Sequence, residues 1–412
     1  MNPLLSRLQP YPFERLRQLL GGVTPNPAYR PISLGIGEPR HPTPALLKDA
    51  LCDAVQAPAG GLATYPATAG TPELKQACAT WVQRRYGLTL NPATQILPVL
   101  GSREALFALA QVVVNPRAFA DGTEPVVVCP NPFYQIYEGA AYLSGAQPWF
   151  APSDPTRNFA VDWASVPEHI WQRTQLLYTC SPGNPTGAVM PLDEWQMLFE
   201  LSDKYGFVIA SDECYSEIYF REEAPLGGLE AAAKLGRSDF KNLIALTSLS
   251  KRSNVPGLRS GFVAGDAELL KAFTLYRTYH GSAMSTVIQS ASAAAWLDEQ
   301  HVIDNRAQYR AKFAEVTPIL ASAMNVALPD AGFYLWAEVP PAFGGTTGGS
   351  DTDFARALYA QYNVTVLPGS YLAREAQGFN PGAQRVRMAL VAETAECAEA
   401  ARRIVQFIQS SN

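Results

Sequence analysis

Three short apolar runs in this chain end abruptly in clusters of small polar groups, and that punctuation constrains the fold more than any other feature. Leu176-Leu-Tyr178 leads into Ser181-Pro-Gly-Asn184-Pro-Thr-Gly187, Phe207-Val-Ile-Ala210 into Ser211-Asp212-Glu213-Cys214-Tyr215, and Leu243-Ile-Ala-Leu246 into Ser248-Leu-Ser-Lys251. Each reads as a buried strand whose carboxyl end carries groups that can hold a ligand. Open α/β sheets bind ligands at those ends, so three of them in one chain predict one shared site.

From about Pro44 to about Ser285, helical and strand patterns alternate in the order that builds a mostly parallel sheet covered by helices. Glu73 to Arg84 has helical periodicity, with Thr71 as cap and Pro72 at the first position. Gln95-Ile-Leu-Pro-Val-Leu100 followed by Gly101-Ser102-Arg103 reads as strand, loop and helix, as does Pro125-Val-Val-Val-Cys129 followed by Pro130-Asn-Pro-Phe-Tyr134. After about Gly281 the texture changes to one long helical stretch through Phe313. Short strands follow around Tyr334-Leu-Trp-Ala-Glu-Val339, Val364-Thr-Val-Leu367 and Arg385-Val-Arg-Met-Ala-Leu390. The expected α/β organisation is an arm with part of a small domain over residues 1–43, a large domain over 44–285, and a smaller α+β domain over 286–412. Pro340 to Ser350, rich in glycine and proline, reads as a mobile surface loop.

Composition narrows the function. With 412 residues, 47% hydrophobic and 17% charged, the chain can bury a large core, and a net charge of -5 disfavours nucleic acid as a partner. The six cysteines are scattered without a C-x-x-C, the pattern of reduced thiols in a cytoplasmic protein. Four histidines, no two at ligand spacing, make a metal site unexpected. The first twenty residues show helical apolar spacing broken by Pro10 and Pro12, read as a packing arm rather than a signal peptide, and no run is long enough to span a bilayer.

Lys251 stands just past an apolar run, flanked by hydroxyls and by Arg259, which can take an anion. Its simplest chemical role is to form a Schiff base; the alternative is a solvated surface lysine. In their order and spacing, the motifs from Gly35-Ile-Gly37-Glu-Pro39 to Arg387 resemble the class I/II aminotransferases, pyridoxal-phosphate enzymes of fold type I. The resemblance covers nearly the whole chain. It implies a homodimer with shared sites, acting on amino acids and oxo acids.

Carried over residue by residue, the resemblance puts the Schiff base on Lys251 and the partner of the cofactor ring nitrogen on Asp212. Tyr215 and Asn184 would donate to the phenolic oxygen, and Tyr134 would stack on the ring. Ser102, the amide of Arg103, Ser248 and Arg259 would cradle the phosphate, with Tyr65 reaching the phosphate of the neighbouring subunit. Gly37 and Arg387 would take the substrate α-carboxylate. Each motif has an ordinary structural reading as well: Asp212 and Ser102 as caps, Asn184 as a turn former, Arg259 as a surface ion pair, Tyr134 as core. Arg385 competes with Arg387, because strand alternation points both the same way.

Within the family, Leu8 to Arg17 and Ser33 to Pro44 look like the proteobacterial succinyldiaminopimelate aminotransferases of lysine biosynthesis. Glutamate is then the expected donor and N-succinyl-2-amino-6-oxopimelate the acceptor. Arg40 and His41 are candidates for the distal carboxylate of that acceptor, or are merely arm residues in solvent. Aspartate, aromatic and alanine aminotransferases, a carbon-sulfur lyase and a cyclopropane-carboxylate synthase would share every cofactor residue. An aminotransferase-like sensor domain is disfavoured because the resemblance begins near residue 8 and Lys251 is present. Gly35-Ile-Gly37 lacks the third glycine of a dinucleotide fingerprint, which disfavours nucleotide readings.

Overall fold

The computed structural model describes residues 1–57, 61–343 and 350–410. In chain order the strands among these residues are β1 (Ile32–Ser33), β2 (Ile96–Val99), β3 (Val126–Asn131), β4 (Gln147–Asp154), β5 (Ala160–Val161), β6 (Thr174–Cys180), β7 (Val208–Asp212), β8 (Leu243–Ser248), β9 (Gly261–Gly265), β10 (Tyr334–Glu338), β11 (Val364–Thr365), β12 (Leu367–Pro368) and β13 (Arg385–Ala389). One eight-stranded sheet runs β2-β9-β8-β7-β6-β3-β4-β5. Its central pairs from β4 through β3, β6 and β7 to β8 are parallel, while β9 is antiparallel to both neighbours and β5 is antiparallel to β4.

The apolar runs are continuous because this sheet is covered on both faces. Successive residues of one strand enter different cores. Val127, Cys129, Leu176, Tyr178, Val208, Ala210, Ile244 and Leu246 pack against the helices Ser102–Val113, Ile136–Leu143 and Ala267–His280. Their neighbours Val126, Val128, Leu177, Ile209, Leu243 and Ala245 pack the other way, against Pro72–Tyr86, Leu192–Tyr205 and Thr286–Leu297. Thr71 caps the first of these as expected, its hydroxyl accepting the Leu74 amide at 3.3 Å with Pro72 at the first position.

A three-stranded antiparallel sheet, β10-β13-β12, shares a second core with the helices Gln300–Ala321, Asp351–Tyr362 and Thr394–Ser410. The segment expected as a single strand from Val364 to Leu367 serves two sheets instead. β11 pairs with β1 in parallel, and after Val366 the chain turns to pair β12 with β13. This returns residues 32–33 to the carboxyl-terminal part of the fold.

The long helix expected after Gly281 is two helices, Thr286–Leu297 and Gln300–Ala321. Asp298 breaks it. Its backbone is extended, and its carboxylate accepts both the His301 amide at 3.0 Å and the His301 ring at 2.5 Å, a local arrangement that competes with helical bonding. The amino-terminal arm divides at its prolines into a 3-10 turn, Pro3–Arg7, and a helix, Pro12–Leu20, which starts where a missing N–H costs nothing. It packs on its own protomer: Leu16 joins Trp336, Leu367, Tyr371 and Leu372, and Arg7 pairs with Glu124 at 2.8 Å. Residues 344–349 of the glycine-rich stretch expected as a mobile loop lie outside the described residues.

Trp296 pins the helix Thr286–Leu297 to the sheet. Its ring meets Phe262 edge-on at 4.9 Å and Trp81 at 5.2 Å, and it is fully buried. Trp296→Ala should cost about 3–5 kcal/mol of stability and lower the urea midpoint of the unloaded protein. An unchanged midpoint would show that the contact carries no packing energy.

Candidate active site

Every strand end singled out in the sequence opens on one cavity of about 480 Å³. It is lined by Gly37, Ser102, Arg103, Tyr134, Asn184, Asp212, Tyr215, Ser248, Lys251, Arg259 and Arg387, so the structure brings together all the expected site residues except Tyr65. Tyr65 is fully exposed and lies outside this cavity.

Lys251 stands on a single helical turn, Leu249–Arg252, that follows β8 directly. Its amine donates to the Gly37 carbonyl oxygen at 2.8 Å. Burial pulls its ammonium from an ordinary 10.5 down to about 8; Cys214 and Glu38 oppose the shift, and Arg387 and Arg103 reinforce it. Asp212, the last residue of β7, is buried and accepts the Tyr137 hydroxyl at 2.8 Å and the Cys214 amide at 3.3 Å. Burial pushes its carboxyl up, against the donation from Cys214 and Tyr137 and the charge of Lys251. Burial likewise pushes the Tyr215 phenol up, which keeps it protonated and able to donate.

At one end of the cavity the hydroxyls and guanidinium expected for an anion converge. Gly101 has φ +82°, and a Cβ there would lie 2.6 Å from Arg259 Nη2, so only glycine lets Arg259 approach the start of the helix Ser102–Val113. Arg259 donates to the Pro256 and Leu100 carbonyls at 2.8 and 3.2 Å and pairs with no acidic side chain among the described residues. Ser248 caps the lysine turn, accepting the Ser250 amide at 3.2 Å.

At the other end, Arg387 is 3% exposed and donates to Asn184 Oδ1 and to the Gly35 carbonyl oxygen, both at 3.0 Å. Its Nε is buried without a hydrogen-bond partner among the described residues. Strand alternation left Arg385 and Arg387 equivalent, and their partners separate them. Arg385 pairs with Glu338 and lies over Phe159, away from the cavity. Arg40 and His41 do not line the cavity either, so of the two alternatives the one that faces them to the substrate finds no support, and His41 is not in solvent but buried. Arg40 pairs with Glu396 at 3.5 Å, and His41 is buried with its two ring nitrogens on Asn305 and Lys312.

Residues 29–404 match the sequence model of the family Aminotransferase class I and II. The chain belongs to this family. The aminotransferase is 32% identical over 352 residues to the LL-diaminopimelate aminotransferase of Dehalococcoides mccartyi, covering 84% of this chain and 85% of that protein. An aminotransferase from Neisseria meningitidis Z2491 superposes with a TM-score of 0.92 at 54% identity, covering 99% of this chain and 100% of the other. A probable N-succinyldiaminopimelate aminotransferase from Thermus thermophilus superposes with a TM-score of 0.81 at 26% identity, over 96% of this chain and 99% of the other. The aminotransferase is therefore a pyridoxal-phosphate-dependent enzyme. The cavity fits that cofactor, with an amine of lowered basicity, a buried carboxylate and an anion cradle emptied of a Cβ at Gly101.

Several residues around the aminotransferase's cavity had no assigned role. Tyr137 is three residues after Tyr134, one helical turn on, and that spacing was the available signal. Tyr11 and Phe13 from the arm, Glu38, and Tyr334 from β10 also line or close the cavity, and no local pattern marks them. A measurable consequence follows from the lysine. Only its neutral amine attacks an aldehyde, and the neutral fraction grows as pH passes the ammonium's value. Capture of pyridoxal phosphate by the unloaded protein should accelerate with pH through a midpoint near 8. Stopped-flow growth of the visible band checks this, and a midpoint above 10 would contradict it.

Proposed function

We propose that this aminotransferase exchanges an amino group between glutamate and a long tricarboxylic oxo acid, N-succinyl-2-amino-6-oxopimelate, as a cytoplasmic homodimer. When bound, pyridoxal phosphate supplies an electron sink for the substrate carbanion. Lys251 would hold its aldehyde and would move a proton at the substrate Cα. Asp212, held by Tyr137, keeps the ring nitrogen protonated. Tyr215 would donate to the phenolic oxygen, joined by the Asn184 Nδ2, since Arg387 engages the Asn184 Oδ1 and Nδ2 has no partner among the described residues. Ser102, the Arg103 amide, Ser248 and Arg259 would hold the phosphate, Tyr134 would pack on the ring, and Tyr65 would serve the partner's site. Arg387 and the backbone at Gly37 take the α-carboxylate.

The observation that carries the substrate reading is a second cation at the cavity wall. Arg103 donates through Nε to the Tyr134 hydroxyl at 2.6 Å and lies 5.9 Å over the Tyr11 ring, with no acidic partner among the described residues. With Arg387 holding one carboxylate, Arg103 is suited to a distal one. The name of the Thermus relative supports the succinylated compound. The name of the Dehalococcoides relative, together with Glu38 in the same lining, favours a second reading in which the distal amine is free and cationic.

The test is an absorbance titration of loaded enzyme. Glutamate should bleach the visible band, and N-succinyl-2-amino-6-oxopimelate should restore it far better than oxaloacetate, phenylpyruvate or pyruvate. Restoration by the unsuccinylated acceptor instead would establish the second reading. Arg103→Ala should raise KM for the long acceptor about tenfold, the loss of roughly 1.4 kcal/mol of binding, while changing KM for glutamate less than about twofold. Equal effects on both would remove Arg103 from substrate selection.

A further inference from the structure

Tyr334 opens β10, is buried, and is the point on which three groups of the site converge. Its hydroxyl lies 3.0 Å from that of Tyr215. The Arg387 guanidinium lies 4.2 Å over its ring centroid. Gly37 is pressed so close that a Cβ there would sit 2.0 Å from the Tyr334 hydroxyl, and the carbonyl of that glycine accepts the Lys251 amine. The register explains the contact with Arg387. Tyr334 pairs with Ala389 across β10 and β13, so Arg387, two residues away, is its diagonal neighbour on the same face. Tyr215, by contrast, follows β7 of the large sheet, so Tyr334 joins the two sheets at the site.

A phenol carries one proton, so of two facing hydroxyls one donates and the other accepts. If Tyr215 directs its proton at the phenolic oxygen of the cofactor, the bond between the two tyrosines forms only with Tyr334 as donor. A hydrogen bond received at the Tyr215 oxygen polarises its O–H and strengthens what it donates. The Tyr334 ring meanwhile presents a flat face that fixes the plane of Arg387. We infer that Tyr334 is a positioning residue that directs the Tyr215 proton toward the cofactor and orients Arg387 for the substrate carboxylate. One side chain thereby ties cofactor tuning to substrate recognition.

This rests on the placement of Tyr215 proposed above, and two variants separate the contributions. Tyr334→Phe keeps the ring and deletes the hydroxyl; Tyr334→Leu deletes both. A donor on the phenolic oxygen favours its anionic form, so a weakened Tyr215 lets the cofactor hold its proton to higher pH. The pH midpoint of the visible band of loaded Tyr334→Phe should therefore rise by about 0.5 or more, for a hydrogen bond of ordinary net strength, with KM for glutamate within about twofold of the parent. Tyr334→Leu should in addition raise that KM about five- to tenfold, the loss of a desolvated cation–ring contact. In a Tyr215→Phe background, deleting the Tyr334 hydroxyl should move the midpoint no further. If Tyr215→Phe itself leaves the midpoint unchanged, the placement of Tyr215 fails. If Tyr215→Phe shifts the midpoint while Tyr334→Phe does not, or adds to it independently, the role assigned to Tyr334 is overturned.

Discussion

Five parallel strands, β3, β4, β6, β7 and β8, lie under helices on both faces, and this double covering governs where the chain can place chemistry. Within β3, β7 and β8 every residue is buried, and a charge there would lack both water and partners. Polar groups therefore collect where the strands end. Asp212 closes β7, Ser248 closes β8, Asn184 follows β6 and Tyr134 follows β3. Their convergence on one cavity is a consequence of parallel topology, which brings those carboxyl ends to a common edge.

The charge balance of that cavity favours anions. Among the described residues, Arg103, Lys251, Arg259 and Arg387 line it against two carboxylates, Asp212 and Glu38. Asp212 is withdrawn beneath Tyr137 and the Cys214 amide, so it neutralises little at the opposite ends. The excess positive charge is spread over separate places, Arg259 beside Gly101 and Arg387 beside Asn184, which suits a phosphate at one end and a carboxylate at the other. Burial lowers the lysine ammonium to about 8, with the charges of Arg387 and Arg103 reinforcing the shift against Cys214 and Glu38.

Much of the site was legible because its residues belong to short local patterns. A lysine one turn past a buried strand, an aspartate ending the next, and a glycine opening a helix each carry their context within a few residues. The roles of Arg40 and His41 stayed open in the sequence because they lie next to Gly37, yet the chain past Pro39 leaves the cavity and buries His41 on Asn305 and Lys312. The single helix expected after Gly281 failed for a local reason as well: Asp298 binds the residues ahead of it more readily than it continues the turn.

The sequence by itself determined the α/β class, the mostly parallel sheet, and the identity of the groups at its strand ends, because buried runs and their terminal residues are local properties. The family resemblance favoured Arg387 over Arg385, but alternation points both the same way, and the physical difference, Glu338 beside one and Asn184 beside the other, came only from the tertiary structure. It also decided the place of Tyr334, whose neighbours Tyr215, Gly37 and Arg387 come from distant parts of the chain. Contacts of that kind arise only when the two sheets dock, and no spacing along the chain encodes them.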